Sequence, residues 1–264
     1  MTWEEHAPAS EAELRAVRRW RPGRRWYHPL LAQAVIQTSR FVMRVMNRLE
    51  FAGAERFEAA QDRGSRGLLT FSNHVSLFDD PLLISNLSLQ PYDRVRWIAA
   101  DALNFFGSPF KSWLFTAGKA VPIVRGSGVE QPGLAFLAER LREGQWVHIF
   151  PEGGRTRDPL ARLSTPFKPG IGRLLDAARP IALPFYHYGM QRVLPVSSRM
   201  PRPGHRVRVV FGEAIDCGDA YIEQLSRSAS PPAAGMALWQ LLAGQAEAAL
   251  LRLQATAHPE AGDR

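Results

Sequence analysis

A histidine and an aspartate stand five positions apart in Asn73-His74-Val75-Ser76-Leu77-Phe78-Asp79-Asp80. In a plain helix two side chains at that spacing point roughly 140° away from each other. In a tight turn they can meet, and a carboxylate on an imidazole fixes its tautomer and stabilises its protonated form. The pair is half of a Ser-His-Asp triad without the protein nucleophile. A histidine base of this kind can activate a hydroxyl that the substrate supplies. Further along, Phe150-Pro151-Glu152-Gly153-Gly154-Arg155-Thr156-Arg157 joins a carboxylate, a pair of glycines and a guanidinium. The glycines let the backbone turn sharply or approach a ligand closely. Arg155 can hold a phosphate bidentately. Between the two motifs, Gly118-Lys119-Ala120-Val121-Pro122-Ile123-Val124-Arg125 is an apolar run that ends in another arginine.

The elements that must position these groups follow from periodicity. Leu68-Leu69-Thr70-Phe71 reads as an apolar strand running into a polar turn, and Asp80-Pro81 reads as an N-cap and first helical residue. His74 through Asp79 then occupy a strand-to-helix connection, where α/β sheets carry their functional groups. Strands are expected at 50–57, 68–71, 95–99, 120–124, 145–150, 181–185 and 206–211, and helices at 81–89, 108–117, 130–143, 169–179, 218–227 and 234–255. This alternation predicts a single α/β domain, a mixed central sheet flanked by helices. Residues 1–27 read as a flexible basic arm with room for a short helix, and 258–264 as a disordered tail. Residues 28–49 read as an amphipathic helix, with Leu31, Val35, Val42, Val45 and Leu49 on one face and Arg40, Arg44 and Arg48 on another. A helix of this type suits a bilayer surface, or equally a core with a solvated arginine edge.

Composition bounds the partners. The chain has 264 residues, is 45% hydrophobic, and carries a net charge of +8. That charge favours polyanions: nucleic acid, anionic headgroups or phosphorylated substrates. A single cysteine, Cys217, excludes an internal disulfide and a cysteine-based zinc site. There is no secretory-signal layout at the start and no run of about 18 apolar residues, so a membrane partner would be an anionic surface touched from one side. The aromatic segment 103–115 is expected to dip into that interface through Phe105, Phe106 and Trp113. No Gly-x-Ser-x-Gly elbow, P-loop or HExxH is present. Gly170-Ile171-Gly172 opens a helix without the third glycine of a dinucleotide loop. A basic nucleic-acid-binding protein is the rival reading, but no nucleic-acid module accompanies the charge. A catalytically silent membrane-binding protein is the other.

Asn73-His74…Asp79, Gly118…Arg125, Phe150-Pro151-Glu152-Gly153 and Ile181-Ala182-Leu183-Pro184 resemble, in order, four blocks of the glycerolipid acyltransferases, the lysophosphatidic acid acyltransferases among them. Asp79-Asp80-Pro81, Phe167-Lys168-Pro169-Gly170-Ile171-Gly172-Arg173-Leu174 and His187-Tyr188-Gly189-Met190 are most similar to the tafazzin-type phospholipid–lysophospholipid transacylases. Arg155 departs from that type and matches the lysophosphatidic acid acyltransferases. The resemblance covers about residues 45 to 215 and makes 50–257 an acyltransferase domain. It implies that His74, oriented by Asp79, deprotonates a glycerol hydroxyl as it attacks an acyl carbonyl. Arg125 and Arg155 would hold the acceptor's phosphate, with Glu152 and Gly153 shaping the pocket and no metal or cofactor. The acceptor implied is a lysophospholipid or lysophosphatidic acid. The donor is an acyl-CoA, an acyl-carrier protein or a phospholipid, and the protein would lie peripherally on the cytoplasmic face of a membrane.

Overall fold

A computed structural model describes residues 9–87, 91–196, 198 and 200–258. In chain order the elements are α1 (Glu11–Arg19), α2 (His28–Arg40, continued by a π-helical stretch, Phe41–Met46), β1 (Arg48–Ala52), α3 (Ala54–Gln61), β2 (Leu68–Ser72), α4 (Asp79–Leu83), β3 (Trp97–Asp101), α5 (Ala102–Phe106), α6 (Pro109–Ala117) and β4 (Ala120–Ile123). They continue with α7 (Pro132–Arg142), β5 (Trp146–Ile149), α8 (Gly170–Ala178), β6 (Ile181–Tyr188), α9 (Met190–Val193), β7 (Arg206–Phe211), β8 (Ile215–Asp216), α10 (Asp219–Arg227) and α11 (Gly235–Ala257). The strands form one mixed sheet in the order β1-β7-β6-β2-β5-β3-β4, with β8 paired to β6.

The centre of the sheet is parallel, and every residue of β2 is buried. Such a strand reads as a continuous apolar run because helices cover both of its faces. Alternation still decides which face each side chain enters. Leu69 and Phe71 join Val147, Ile149 and Ala182 in a core with residues of α7, α8 and α11. Leu68 joins Trp146, Leu183, Phe185 and Val209 in a core that includes Phe57 of α3 and Leu82 of α4. The α8–α11 contact requires Gly172, whose Cβ would lie 1.9 Å from the Trp239 carbonyl oxygen. The Gly170-Ile171-Gly172 run is thus a helix start shaped for helix packing.

Parallel pairing delivers the C-terminal ends of β2, β5, β3 and β4 to the same edge of the sheet, with Phe71 beside Ile149 and Asp101 beside Ile123. Strand β6 runs on past Ser72, so His187 reaches the same edge.

Three local expectations change. The strand expected at 50–57 stops at Ala52, because Gly53 adopts a left-handed φ of 73° and Phe57 and Ala60 then enter the core at helical spacing. The helix expected through residue 49 gives way at Asn47, and Arg48 and Leu49 pair in parallel with β7. The arginine stripe is broken with it: Arg44 hydrogen-bonds Asn86, and Arg48 pairs with Glu50. Within the expected arm, the short helix is Glu11–Arg19, started by a Ser10–Glu13 capping box, and it is packed on the domain, with Ala16 buried against Ala102 and Phe106 of α5. Residues 1–8 and 259–264, including most of the expected tail, lie outside the described residues.

Candidate active site

His74 sits two residues beyond β2, and Asp79 is the first residue of α4, whose N-cap is Phe78 rather than Asp80. The turn between them closes on one carboxylate oxygen. Asp79 Oδ2 accepts from His74 Nδ1 at 2.9 Å and from the backbone N–H groups of Val75 and Ser76 at 2.7 and 2.8 Å. Asp79 is 1% exposed and its Oδ1 has no partner among the described residues. An ionised carboxylate can only accept, so the proton of a neutral His74 lies on Nδ1 and the Nε2 lone pair is left for substrate. Asp80 is not free to cap a helix, since it forms an ion pair with Arg96.

Groups distant in sequence hold this turn in place. Glu152 accepts from the His74 backbone N–H at 2.6 Å through Oε1 and from Ser164 N–H at 2.7 Å through Oε2. Burial, with the Asp79 anion nearby, outweighs those two donors and pushes the Glu152 carboxyl up to about 7. Thr156 N–H donates to the His74 carbonyl at 2.8 Å. The Asn73 side chain brackets the His187 backbone, donating to its carbonyl and accepting from its N–H, both at 2.9 Å. His187 Nε2 donates in return to the Asn73 carbonyl at 2.9 Å and lies 3.8 Å from Asp79 Oδ2. Behind it His148 bonds Thr70 Oγ1 through Nδ1. Burial lowers the pKa of both His148 and His187 and favours their neutral forms.

His74 opens onto a cavity of about 600 Å³, a size typical of small-molecule sites. Its walls are mainly apolar: Leu31 and Val35 of α2, Leu77 and Phe78 of the site turn, Phe105 of α5, and Leu114 and Phe115 of α6. The charged groups that line it are the Asp80–Arg96 pair, the Asp101–Arg125 pair at 3.2 Å, and Lys168. Gly153, at φ 73°, lines it too, and a Cβ there would lie 2.9 Å from Lys168 Cγ.

The structure places His74, Arg125 and Gly153 in the cavity lining, with Asp79 bonded to His74, and places the other positions elsewhere. Glu152 accepts from two backbone amides, one of them in the His74 turn, and is not among the cavity-lining residues. Arg155 is half-buried and is not among the cavity-lining residues. Phe106 is 0% exposed, so it belongs to the core and not to a membrane contact, and Phe105 packs edge-on to Phe115 in the cavity wall. Trp113 is exposed, and its ring neighbours are Phe110 and Tyr27, which in turn touches Trp26. Asn73, Phe150, Lys168 and His187 stand inside the sequence motifs with no role that their residue types alone assign. Asn73, Phe150 and His187 lie at or beside strand ends, and Lys168 lies just before α8; for the first three that place is the only signal of a role. Among the described residues no cluster of three or more His, Cys, Asp or Glu could hold a metal ion.

The family model named Acyltransferase matches residues 48–188. The chain is 34% identical over 185 residues to a Dictyostelium discoideum protein called Taffazin, covering 65% of this chain and 64% of that one. It is 35% identical over 161 residues to N-acylphosphatidylethanolamine synthase of Arabidopsis thaliana, covering 56% of each. With Tafazzin of Drosophila melanogaster it shares 31% identity over 226 residues, or 81% of this chain and 58% of that one. The matches thus span 56% to 64% of the length of these relatives. In fold it resembles the crystal structure of PlsC, the 1-acyl-sn-glycerophosphate (LPA) acyltransferase of Thermotoga maritima, with a TM-score of 0.56, 18% identity, and coverage of 92% and 88% of the two chains. The family match takes in more than half of the chain and contains His74, Asp79, Arg125 and Glu152, and the chain belongs to the Acyltransferase family.

Proposed function

We propose that this chain transfers a fatty acyl group to the free hydroxyl of a lysophospholipid, with His74 as general base and Asp79 as the group that orients it. The observation that carries this reading is the His74–Asp79 hydrogen bond of 2.9 Å at the wall of a largely apolar cavity. The acceptor hydroxyl gives its proton to His74 Nε2 while its oxygen attacks the carbonyl carbon of the donor. Asp79 stabilises the imidazolium that results. When the tetrahedral intermediate collapses, the leaving thiolate or alkoxide takes that proton back. The apolar walls accept an acyl chain, and Arg125 and Lys168 supply cations for the phosphate.

The same reading has the protein lying on a bilayer. Trp26, Leu30, Phe110 and Trp113 are exposed large apolar residues around the start of α2 and α6, with Arg25 next to Trp26 and Lys111 next to Phe110 in sequence. Among the described residues no helix is long and apolar enough to cross a membrane. A second reading, acylation of the amine of phosphatidylethanolamine, is favoured by the 35% identity to a protein named for that product.

One experiment separates these. The purified chain receives labelled lysophospholipid with acyl-CoA, with acyl-carrier-protein thioester, or with intact phospholipid as donor, and a fourth arm offers phosphatidylethanolamine as acceptor. Product in a lysophospholipid arm, absent with His74→Ala, supports hydroxyl acylation and names the donor. Product only in the fourth arm would replace it with amine acylation, and equal product with His74→Ala would remove His74 from the chemistry.

A further inference from the structure

The ring of Phe150 lies flat against His74. The two centroids are 4.0 Å apart and the planes are 12° from parallel. Phe150 follows β5 directly, and Pro151 and the Gly153 N–H bond to its carbonyl restrain its backbone. His148 braces the ring from β5, with centroids 4.7 Å apart and planes at 82°. Phe150 is half-buried and lines the cavity beside His74.

The face of a benzene ring is negative because of its quadrupole. A neutral imidazole gains little from it, whereas an imidazolium within about 6 Å of the centroid is attracted, more strongly where water is excluded. The contact is therefore stronger in the charged state than in the resting state, which is the condition for a contribution to rate. Asp79 acts on the ring in its plane at Nδ1, and Phe150 acts perpendicular to it, so the two effects do not compete for an atom. Water is scarce here, since the His74 side chain is 14% exposed.

We propose that Phe150 is a catalytic residue of this site, its ring face stabilising the imidazolium formed when His74 takes the acceptor's proton. This rests on the acyl-transfer reading above and adds to it a group that no charge or hydrogen-bond pattern marks.

Among the described residues, charged and titratable groups face His74 from several neighbouring elements. They are Asp79 at Nδ1 and the Arg96-paired Asp80 on α4, and Glu152 at the backbone N–H beyond β5. His187 on β6 lies beside the Asp79 carboxylate, His148 is on β5 behind Phe150, and Lys168 and the Asp101–Arg125 pair line the same cavity. Substitution of Phe150 alters none of these charges, so a changed titration of His74 reports the ring.

The test uses two perturbations of the full chain. Phe150→Leu removes the face, and a series of fluorinated phenylalanines at position 150 keeps the shape while draining the face of negative charge. His74 is titrated through its ring-proton NMR signals, and kcat and KM are measured in parallel. The expected result is a midpoint that moves to lower pH along the series, by about 0.4 to 1.5 pH in all, with a fall in kcat of about 2- to 30-fold and an unchanged KM. A midpoint and kcat indifferent to fluorination would overturn the proposal, whatever Phe150→Leu does to folding. A midpoint that follows the series in a protein with no acyl transfer would leave the contact standing and overturn its catalytic role, the fault then lying in the acyl-transfer reading.

Discussion

Asp79→Asn separates the two services that Asp79 performs. All three donors on this residue, His74 Nδ1, Val75 N–H and Ser76 N–H, converge on the same oxygen, Oδ2, and Oδ1 has no partner among the described residues. An asparagine can place its single carbonyl oxygen at that position and keep all three bonds, with its NH₂ where Oδ1 was. The turn and the His74 tautomer survive, and only the negative charge is lost. Unit charges about 3 Å apart at an effective dielectric near 20 attract by roughly 5–6 kcal/mol, and the remaining neutral hydrogen bond returns about 1–1.5 kcal/mol. About 4 kcal/mol of imidazolium stabilisation is lost, which is about a thousandfold in kcat. Folding stability should stay within about 2 kcal/mol of the unaltered protein, since one unpaired buried group replaces another. Asp79→Ala differs: it leaves the Val75 and Ser76 amides unpaired in a buried turn, at about 1–3 kcal/mol each. The assay is kcat for acyl transfer to lysophospholipid beside urea unfolding of both variants. A folded Asp79→Asn enzyme that keeps more than about a tenth of its rate would refute the charge argument. Equal destabilisation by asparagine and alanine would refute the shared-oxygen geometry.

Glu152→Gln should change how stability depends on pH. The native carboxyl titrates at about 7 against an ordinary 4.5, so it binds its proton more tightly folded than unfolded. Its contribution is complete below 4.5 and is lost as pH rises to about 7, an effect of order 3 kcal/mol that the glutamine form lacks. Thermal melts of the two proteins at pH 5 and pH 8 check this, and parallel pH trends would refute it. Arg125→Ala should raise the acceptor KM about 10- to 100-fold through loss of a charged phosphate contact, and Arg155→Ala, away from the cavity wall, should raise it far less. Steady-state kinetics on lysophospholipid decide, and the reverse order would return Arg155 to the site. Replacing Trp26, Phe110 and Trp113 together with serine should weaken sedimentation with anionic liposomes without unfolding, whereas Phe106→Ala should cost about 3–5 kcal/mol of stability. Liposome binding by the folded triple variant at the unaltered level would sink the membrane-face assignment.

Much of the fold was legible because it is local. The strands at 68–71, 120–124 and 206–211 and the helices at 108–117, 130–143 and 169–179 came within two residues of their observed ends. The error at 50–57 came from a glycine whose left-handed conformation only a packed helix could require.

The sequence by itself determined the pairing of His74 with Asp79. His74 and Asp79 are five residues apart, so one turn and two backbone amides suffice to join them, and a short turn is encoded by its own residues. What surrounds the pair was decided only in three dimensions. Phe150 on the imidazole face is 76 positions away from His74. Glu152 on its backbone is 78 away, and His187 is 114 from Asn73. Parallel strands bring such residues to one sheet edge through crossovers whose length no spacing rule reads. The aromatics of 103–115 show the same limit. Phe105, Phe106, Phe110 and Trp113 are alike as letters, yet α1 packing over α5 sends Phe106 into the core while Phe110 and Trp113 remain outside. Burial belongs to the neighbours a side chain meets, and those are a property of the folded chain.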